Sequence, residues 1–432
     1  MKTIIKRLTR RLGIEISRYN PPVQVNEVVA LQTEKKYNGN ALLSYTISPF
    51  FPKQGESFDE SHSCDWECYQ IALTFRALGY NVDVINYNNT KFIPQKKYHV
   101  FLDVLSNMER IAPLLDDDCT KIYQPSFAHW LSHNTGEYQR HLSFQRRKGI
   151  VSKPPRLLPP NSSAEYTDVL ILKGGPFTSD SYSCSSSYSS KKVFRIPIGT
   201  QYTYPWPENK YVENCRKNFV WFGGKGLIHK GLDLVLETFA ELPDYHLYIC
   251  GPITKKEDIE KELDSTDYRK PTEKDFEAAY YKELYQTPNI HTIGWVDIKG
   301  PEAIEILNKC IGTIYPSCSE SAAGSVINCM HAGLIPIVSY ETSVNVDESF
   351  GIILNNCSIN EIKKNIQFIS SLPIENLRLM SRKAWEFARA HHTRERFSEE
   401  YISVIRQVLA QDERQAQNIE IWDRKAADIT SP

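Results

Sequence analysis

Residues 219–233 read FVWFGGKGLIHKGLD. An apolar run ends in a cluster of glycines, Gly223, Gly224 and Gly226, and a helix opens near Gly231. A short apolar run closed by glycine reads as a buried strand. Glycines let a backbone approach a ligand closely. A helix N-terminus just beyond offers free N–H groups and partial positive charge to a phosphate. Lys225 and Lys230 add formal charge at the same place. The spacing is neither a Walker A loop nor the full Gly-x-Gly-x-x-Gly pattern of dinucleotide sites. By itself the stretch is equally a glycine turn with two solvated lysines.

A second stretch repeats the design. Residues 315–333 read YPSCSESAAGSVINCMHAG, again a strand, a loop and a helix start. Glu320 stands on the loop. Ser321, Ala322, Ala323, Gly324 and Ser325 are small enough to admit a ligand beside the backbone, and their N–H groups lead the helix that follows. An anion at that N-terminus and a sugar near Glu320 would both be favourable. The plainer alternative is that Glu320 and Ser321 cap the helix.

Working outward, strand and helix signals alternate along the chain. Strands are expected at 41–47, 82–85, 99–104, 121–123, 168–172 and 193–198, with helices at 66–78 and 133–148. The pattern breaks at the Tyr-Pro-Trp-Pro of 204–207. A second series follows: strands 219–222, 245–250, 290–293, 311–315 and 335–338, helices 232–241 and 326–332, and a charged helical excursion over 253–288. Helices 359–371, 376–391 and 395–409 finish it. Strands alternating with helices imply parallel sheets. With 432 residues, the chain suits two cores of about 200 residues each. The expected fold is α/β, two Rossmann-like doubly wound domains with a cleft between them, ligands lying at the carboxyl ends of the strands.

The expected division is a basic segment at 1–35, an acceptor-side domain at 36–210 and a donor-binding domain at 211–375. Helices at 376–412 are expected to return to the N-terminal domain, before a polar tail at 413–432. Residues 1–20 carry Lys2, Lys6, Arg7, Arg10, Arg11 and Arg18 beside Ile4, Ile5, Leu8 and Leu12. That is a short basic amphipathic helix: a solvated face, or an attachment to an anionic membrane surface.

Composition narrows the function. A formal net charge of -1 gives no electrostatic basis for a nucleic-acid partner. No apolar run is long enough to span a membrane, and the N-terminus lacks the pattern of a signal peptide. The ten cysteines are scattered singly, as in a reducing, cytoplasmic compartment. His62, Cys64 and Cys68 cluster, but no second ligand pair lies nearby, and no Asp-x-Asp dyad sits on a convincing loop. Asp116, Asp117 and Asp118 read as a solvated charge run. No bound metal or other cofactor is expected.

The order of the two glycine-rich elements, their separation and the closing GLIPIVS of 333–339 resemble the C-terminal domain of family-4 retaining glycosyltransferases of the group 1 type, over about residues 215–410. The resemblance implies the GT-B fold and transfer of a sugar from a nucleotide diphosphate-sugar to a hydroxyl acceptor, with retention of configuration. Glycan, polysaccharide or lipid-linked acceptors are implied. The expected location is cytoplasmic, peripheral at the inner membrane face on the attachment reading of residues 1–20. Glu320 matches the first glutamate of a Glu-x7-Glu motif and is expected to contact the donor sugar. Lys230 is expected to hold the diphosphate, with Lys225 where the family usually has arginine. Gly223, Gly224, Ser321, Gly324 and Ser325 complete the donor side.

Asn328 departs from the family, replacing the second glutamate, which is expected to hold the donor ribose. In the N-terminal half, His129 is the best match to a histidine near the reacting sugar, with His133 second. Either could instead cap or pack. His133, Asn134, Glu137 and Arg140 fall on one to two helical turns and either read the acceptor or form an exposed polar face. The alternative to an enzyme is a catalytically silent nucleotide-sugar-binding protein, for which Asn328 is the motive. A pyridoxal-dependent phosphorylase shares the architecture but finds no cofactor-lysine context here.

Overall fold

The computed structural model describes residues 26–51, 63–183, 188–200, 202–208, 210, 212–254 and 273–410, with backbone alone at 273–275. Segments 1–20 and 413–432, and with them the basic amphipathic helix and the polar tail, lie outside the described residues, as does His62.

Two sheets carry the molecule. The first holds β1 (Val28–Leu31), β2 (Gly39–Tyr45), β3 (Tyr80–Asn86), β4 (Val100–Asp103), β5 (Thr120–Tyr123), β6 (Val169–Lys173) and β7 (Lys192–Ile196). Their spatial order is β1-β3-β2-β4-β5-β6-β7. The edge strand β1 runs antiparallel to β3; the other pairings are parallel. The second holds β8 (Asn218–Phe222), β9 (His246–Cys250), β10 (Ile290–Gly294), β11 (Gly312–Tyr315), β12 (Ile335–Ser339) and β13 (Ile352–Leu354). It is wholly parallel, in the order β10-β9-β8-β11-β12-β13.

Helices cover both faces of each sheet, so the central strands are buried throughout: VFLD in β4, VLILK in β6, GTIY in β11, IPIVS in β12. Continuous apolar runs, as distinct from alternating ones, are what such strands require. The edges are different. β1 alternates between exposed and half-buried residues, and β13 is three residues long. Sequence reading missed both, because neither has an apolar run to announce it. It also missed the Pro301–Lys309 helix, which opens on a proline at its first turn.

In the second sheet, strand order reverses between β8 and β11, which are hydrogen-bonded neighbours. Ligands of doubly wound sheets bind beyond the carboxyl ends at such a reversal. Here those ends run into Gly223 on one side and Pro316–Glu320 on the other.

One expectation needs correction. The Ile374–His391 helix stays with the C-terminal core through Leu377, Ala384 and Ala388. Only the helix over 394–410 crosses back, placing Phe397, Tyr401, Val404, Ile405 and Val408 in the N-terminal core with Ile71, Phe75 and Val100. Residues around 204–206 also belong to the C-terminal side. Tyr204 lies in its core, its carbonyl accepts from Trp385 Nε1 at 3.0 Å, and Trp206 packs on Trp385.

The domains touch through backbone. Gly175 N donates to Ser343 O at 2.6 Å, and Thr178 Oγ1 donates to Ser321 O at 2.7 Å. Gly174 has a φ of +89°, and a Cβ there would stand 2.1 Å from Ser321 O. Glycine is required at that approach.

Candidate active site

The two glycine-rich elements meet at a largely buried ion pair, its side chains 10% and 12% exposed. Lys230 Nζ stands 2.6 Å from Glu320 Oε1 and donates to Tyr315 OH at 2.7 Å. Ser317 Oγ donates to the same carboxylate oxygen at 3.3 Å. Gly231 makes the meeting possible. Its φ is +74°, and a Cβ would lie 2.4 Å from Pro316 O, so only glycine lets the lysine turn lie on the Pro-Ser loop. The Glu320 loop is pinned from behind, Glu320 N donating to Glu341 O at 2.8 Å and Ala323 N to Thr342 O at 3.0 Å. Burial would raise the Glu320 carboxyl. The charges of Lys230, Arg156 and His229 outweigh it and hold the group down at about 2. For Lys230, burial works to lower the pKa and Glu320 to raise it, and Glu320 prevails.

The sequence reading did not single out His229, the residue before Lys230. It is fully buried. Nε2 lies 2.6 Å from Ser319 O and Nδ1 lies 2.6 Å from Glu137 Oε2. Both partners are acceptors, so an imidazole that satisfies both carries a proton on each nitrogen. Glu137 comes from the other domain. It also accepts from Arg156 N at 3.1 Å. Burial pushes its carboxyl up, but His141 and His229 overcome that and hold it well below the usual carboxylate range.

Glu137 lies on the Trp130–Lys148 helix, which begins three residues before the expected start. Its buried residues are His133, Glu137, His141 and Phe144, one face at spacings of four, four and three. A helix that reads as polar thus buries a polar stripe, and the stripe lies against the C-terminal domain. His133 Nε2 bonds to Arg156 O at 2.7 Å and Nδ1 to Ser319 Oγ at 3.1 Å. A carbonyl only accepts, so Nε2 carries the proton and Nδ1 accepts from the hydroxyl. Burial, then the neighbouring His229, pushes His133 down to about 4. Asn134 holds Leu158 from both sides, Nδ2 donating to its carbonyl and Oδ1 accepting from its N–H, each at 2.8 Å.

The polar groups of His133, Asn134 and Glu137 are therefore engaged by the protein itself, at a buried seam and not on an exposed face. Arg140 stands beside Gly231, and its Nη1 is buried with no hydrogen-bond partner among the described residues. His129 is buried at the helix N-cap with its ring on Tyr182 and Trp130, and its N–H donates to Ser181 Oγ at 2.9 Å. Of the two candidate histidines, His133 is the one bonded to the loop that carries Glu320.

On the donor side, Gly224 has nothing within 4 Å of its Cβ position, and Lys225 is exposed beside it. Gly324 opens the Gly324–His331 helix, with Ser325 half-buried next to it. Asn328 follows one turn on. It is 9% exposed, and its Oδ1 is buried with no hydrogen-bond partner among the described residues. A buried acceptor without a donor calls for one. A cavity of about 600 Å³ lies at the seam, lined by His141, Lys153, Arg156 and the glycine loop from Lys225 to His229, among others.

Residues 208–386 match the family model of glycosyl transferases group 1. The fold is that of sucrose-phosphate synthase from Thermosynechococcus elongatus, at a TM-score of 0.57 and 13% identity, over 87% of this chain and 100% of that one. It is likewise similar to HepE from Anabaena, solved in complex with UDP and glucose, at a TM-score of 0.52 and 10% identity, over 86% and 100% of the two chains. No curated protein matches the sequence.

Proposed function

We propose that this chain, whose residues 208–386 match the group 1 glycosyltransferase model and whose fold is GT-B, moves a hexosyl group from a nucleotide diphosphate-sugar to a hydroxyl acceptor with retention of configuration. The product would be a glycan, polysaccharide or glycolipid. The Lys230–Glu320 pair carries this reading. A lysine and a glutamate held together at a strand-order reversal suit a ligand that is anionic at one end and hydroxyl-rich at the other. As the glycosidic bond breaks, negative charge grows on the β-phosphate. Lys230, Lys225 and the N–H groups opening the helix at Gly324 would stabilise it. Glu320 would accept from sugar hydroxyls, and Asn328 Oδ1 from a ribose hydroxyl. Transfer would need no metal, because lysines and backbone N–H groups meet the diphosphate. The acceptor would enter from the N-terminal domain beside His129. That HepE holds UDP and glucose supports a nucleotide-sugar donor. Basic residues in 1–20 would rest the enzyme on the cytoplasmic face of an anionic membrane. Deleting them should then weaken co-sedimentation with anionic vesicles and spare turnover in solution.

The test is nucleotide release from UDP- and GDP-sugars. Lys230→Ala is expected to lower turnover at least about a hundredfold, on the order of 3 kcal/mol of lost charge stabilisation. Unchanged turnover would remove Lys230 from the chemistry. A second reading, a silent nucleotide-sugar-binding protein, rests on Asn328 in place of a glutamate. Tight donor binding without nucleotide release by the wild type would favour it.

A further inference from the structure

The seam between the domains gathers metal-binding side chains that the proposed transfer does not use as such. Glu137 Oε2, His229 Nδ1 and Cys318 Sγ lie within 4.8 Å of one another, all buried. The separations are 2.6 Å for nitrogen to carboxylate, 3.4 Å for sulfur to nitrogen and 3.8 Å for sulfur to carboxylate. One point stands about 2 Å from all three atoms, close to the bond lengths zinc makes to oxygen, nitrogen and sulfur. A fourth group waits at the edge. His141 is 5% exposed, its Nε2 is 3.6 Å from Glu137 Oε1, and neither ring nitrogen has a hydrogen-bond partner among the described residues.

We propose that Glu137, His141, His229 and Cys318 form a structural zinc site that ties the Trp130–Lys148 helix to the Pro-Ser loop and the lysine turn. The donor set, one thiolate, two imidazoles and one carboxylate, is a tetrahedral zinc set. The outer shell is also in place. The ring nitrogen of His229 not offered to the metal donates to Ser319 O at 2.6 Å, and the other Glu137 oxygen accepts from Arg156 N at 3.1 Å. Ligating histidines and carboxylates are oriented by such bonds.

The charge balances. Without metal, the cluster holds an imidazolium, a carboxylate and a thiol, and its sum is zero. Zinc enters with two positive charges, the Nδ1 proton of His229 and the Cys318 proton leave to water, and the sum stays zero. A divalent ion therefore replaces two protons at no cost in buried net charge. To suit a tetrahedral metal the nitrogen–carboxylate pair has to part, to about 3 Å, and the His141 ring, which lies outside the three-residue group beside the other Glu137 oxygen, has to turn in as the fourth ligand.

The full-length chain, purified from zinc-supplemented cells and passed over a chelating resin, is expected to retain about one equivalent of zinc by mass spectrometry. Exchange with cobalt(II) should give a visible spectrum with a thiolate-to-cobalt band. Cys318→Ser should abolish that band, and His141→Gln should weaken zinc retention at least about tenfold, in keeping with loss of a ligand. Circular dichroism reports whether each variant is folded. A wild type that holds no zinc after incubation with zinc salt would overturn the site. So would a folded Cys318→Ser with wild-type zinc content. Should that variant not fold, the cobalt spectrum of the wild type decides, since a spectrum without thiolate character excludes Cys318. None of these readouts depends on transferase activity.

Discussion

Glu320 and Lys230 are charged groups whose pKa values have moved in opposite directions, and the signs decide how the pair responds to pH. The Glu320 carboxyl is lowered from 4.5 to about 2 in the fold. Its contribution to stability is therefore complete above the unfolded value and lost as pH falls from 4.5 towards 2. Lys230 is raised above 10.5, so its contribution is complete below that value and lost as pH rises beyond it. Urea titrations at a series of acidic pH values should show wild-type stability falling through that acid window, and Glu320→Gln should show a flatter fall. An equal slope in both would mean that the pair does not set the acid limit. Asn328 invites the complementary substitution. A hydrogen bond to a charged group is worth about 1.5–3 kcal/mol and a neutral one about 1. Asn328→Glu is therefore expected to lower the donor KM by roughly tenfold with kcat little changed. No change in KM would place the ribose elsewhere.

The Trp130–Lys148 helix is the element on which the two domains agree. Gly136 lies on it, and a Cβ there would stand 2.5 Å from Cys318 O. Gly136→Ala must move the helix or the Pro-Ser loop, so a loss of about 1–3 kcal/mol, typical of overpacking, is expected in thermal unfolding. Unaltered stability would mean that the helix is held less closely than the contact implies. This helix also marks where sequence reading stopped. The donor-side loops were legible because a strand, glycines and a helix start are local features. The inward face of the helix was not. His133, Glu137 and His141 lack the apolar signature by which a buried face is recognised, and their partners, Ser319 and His229, lie 186 and 92 residues away. His229 was hidden for the same reason: a lone histidine between an isoleucine and a lysine has no pattern until its two acceptors are seen. Central strands could be read because both their faces are apolar. β1 and β13 could not, being edges.

At the scale of the whole molecule, the seam is wide and charged at its rim. Arg147 bonds to Asp233 and to Glu237, and Lys148 reaches Glu283 at 3.1 Å. Inside that rim, His133, Glu137, His141 and Phe144 form the buried face of the Trp130–Lys148 helix. Connectivity adds a further constraint. The 394–410 helix supplies Phe397, Tyr401, Val404, Ile405 and Val408 to the core of the first domain. A chain ending at residue 392 should therefore bind a dye for exposed apolar surface and lose amide protection in β2, β3 and β4, while β8 to β12 stay protected; uniform protection would show that the helix is dispensable. A ribosome delivers residues in order, and domains generally fold as they emerge. Here the first domain to leave the exit tunnel is the last that can close. Its apolar groove stays open to water, and to chaperones, until the whole of the second domain has been synthesised.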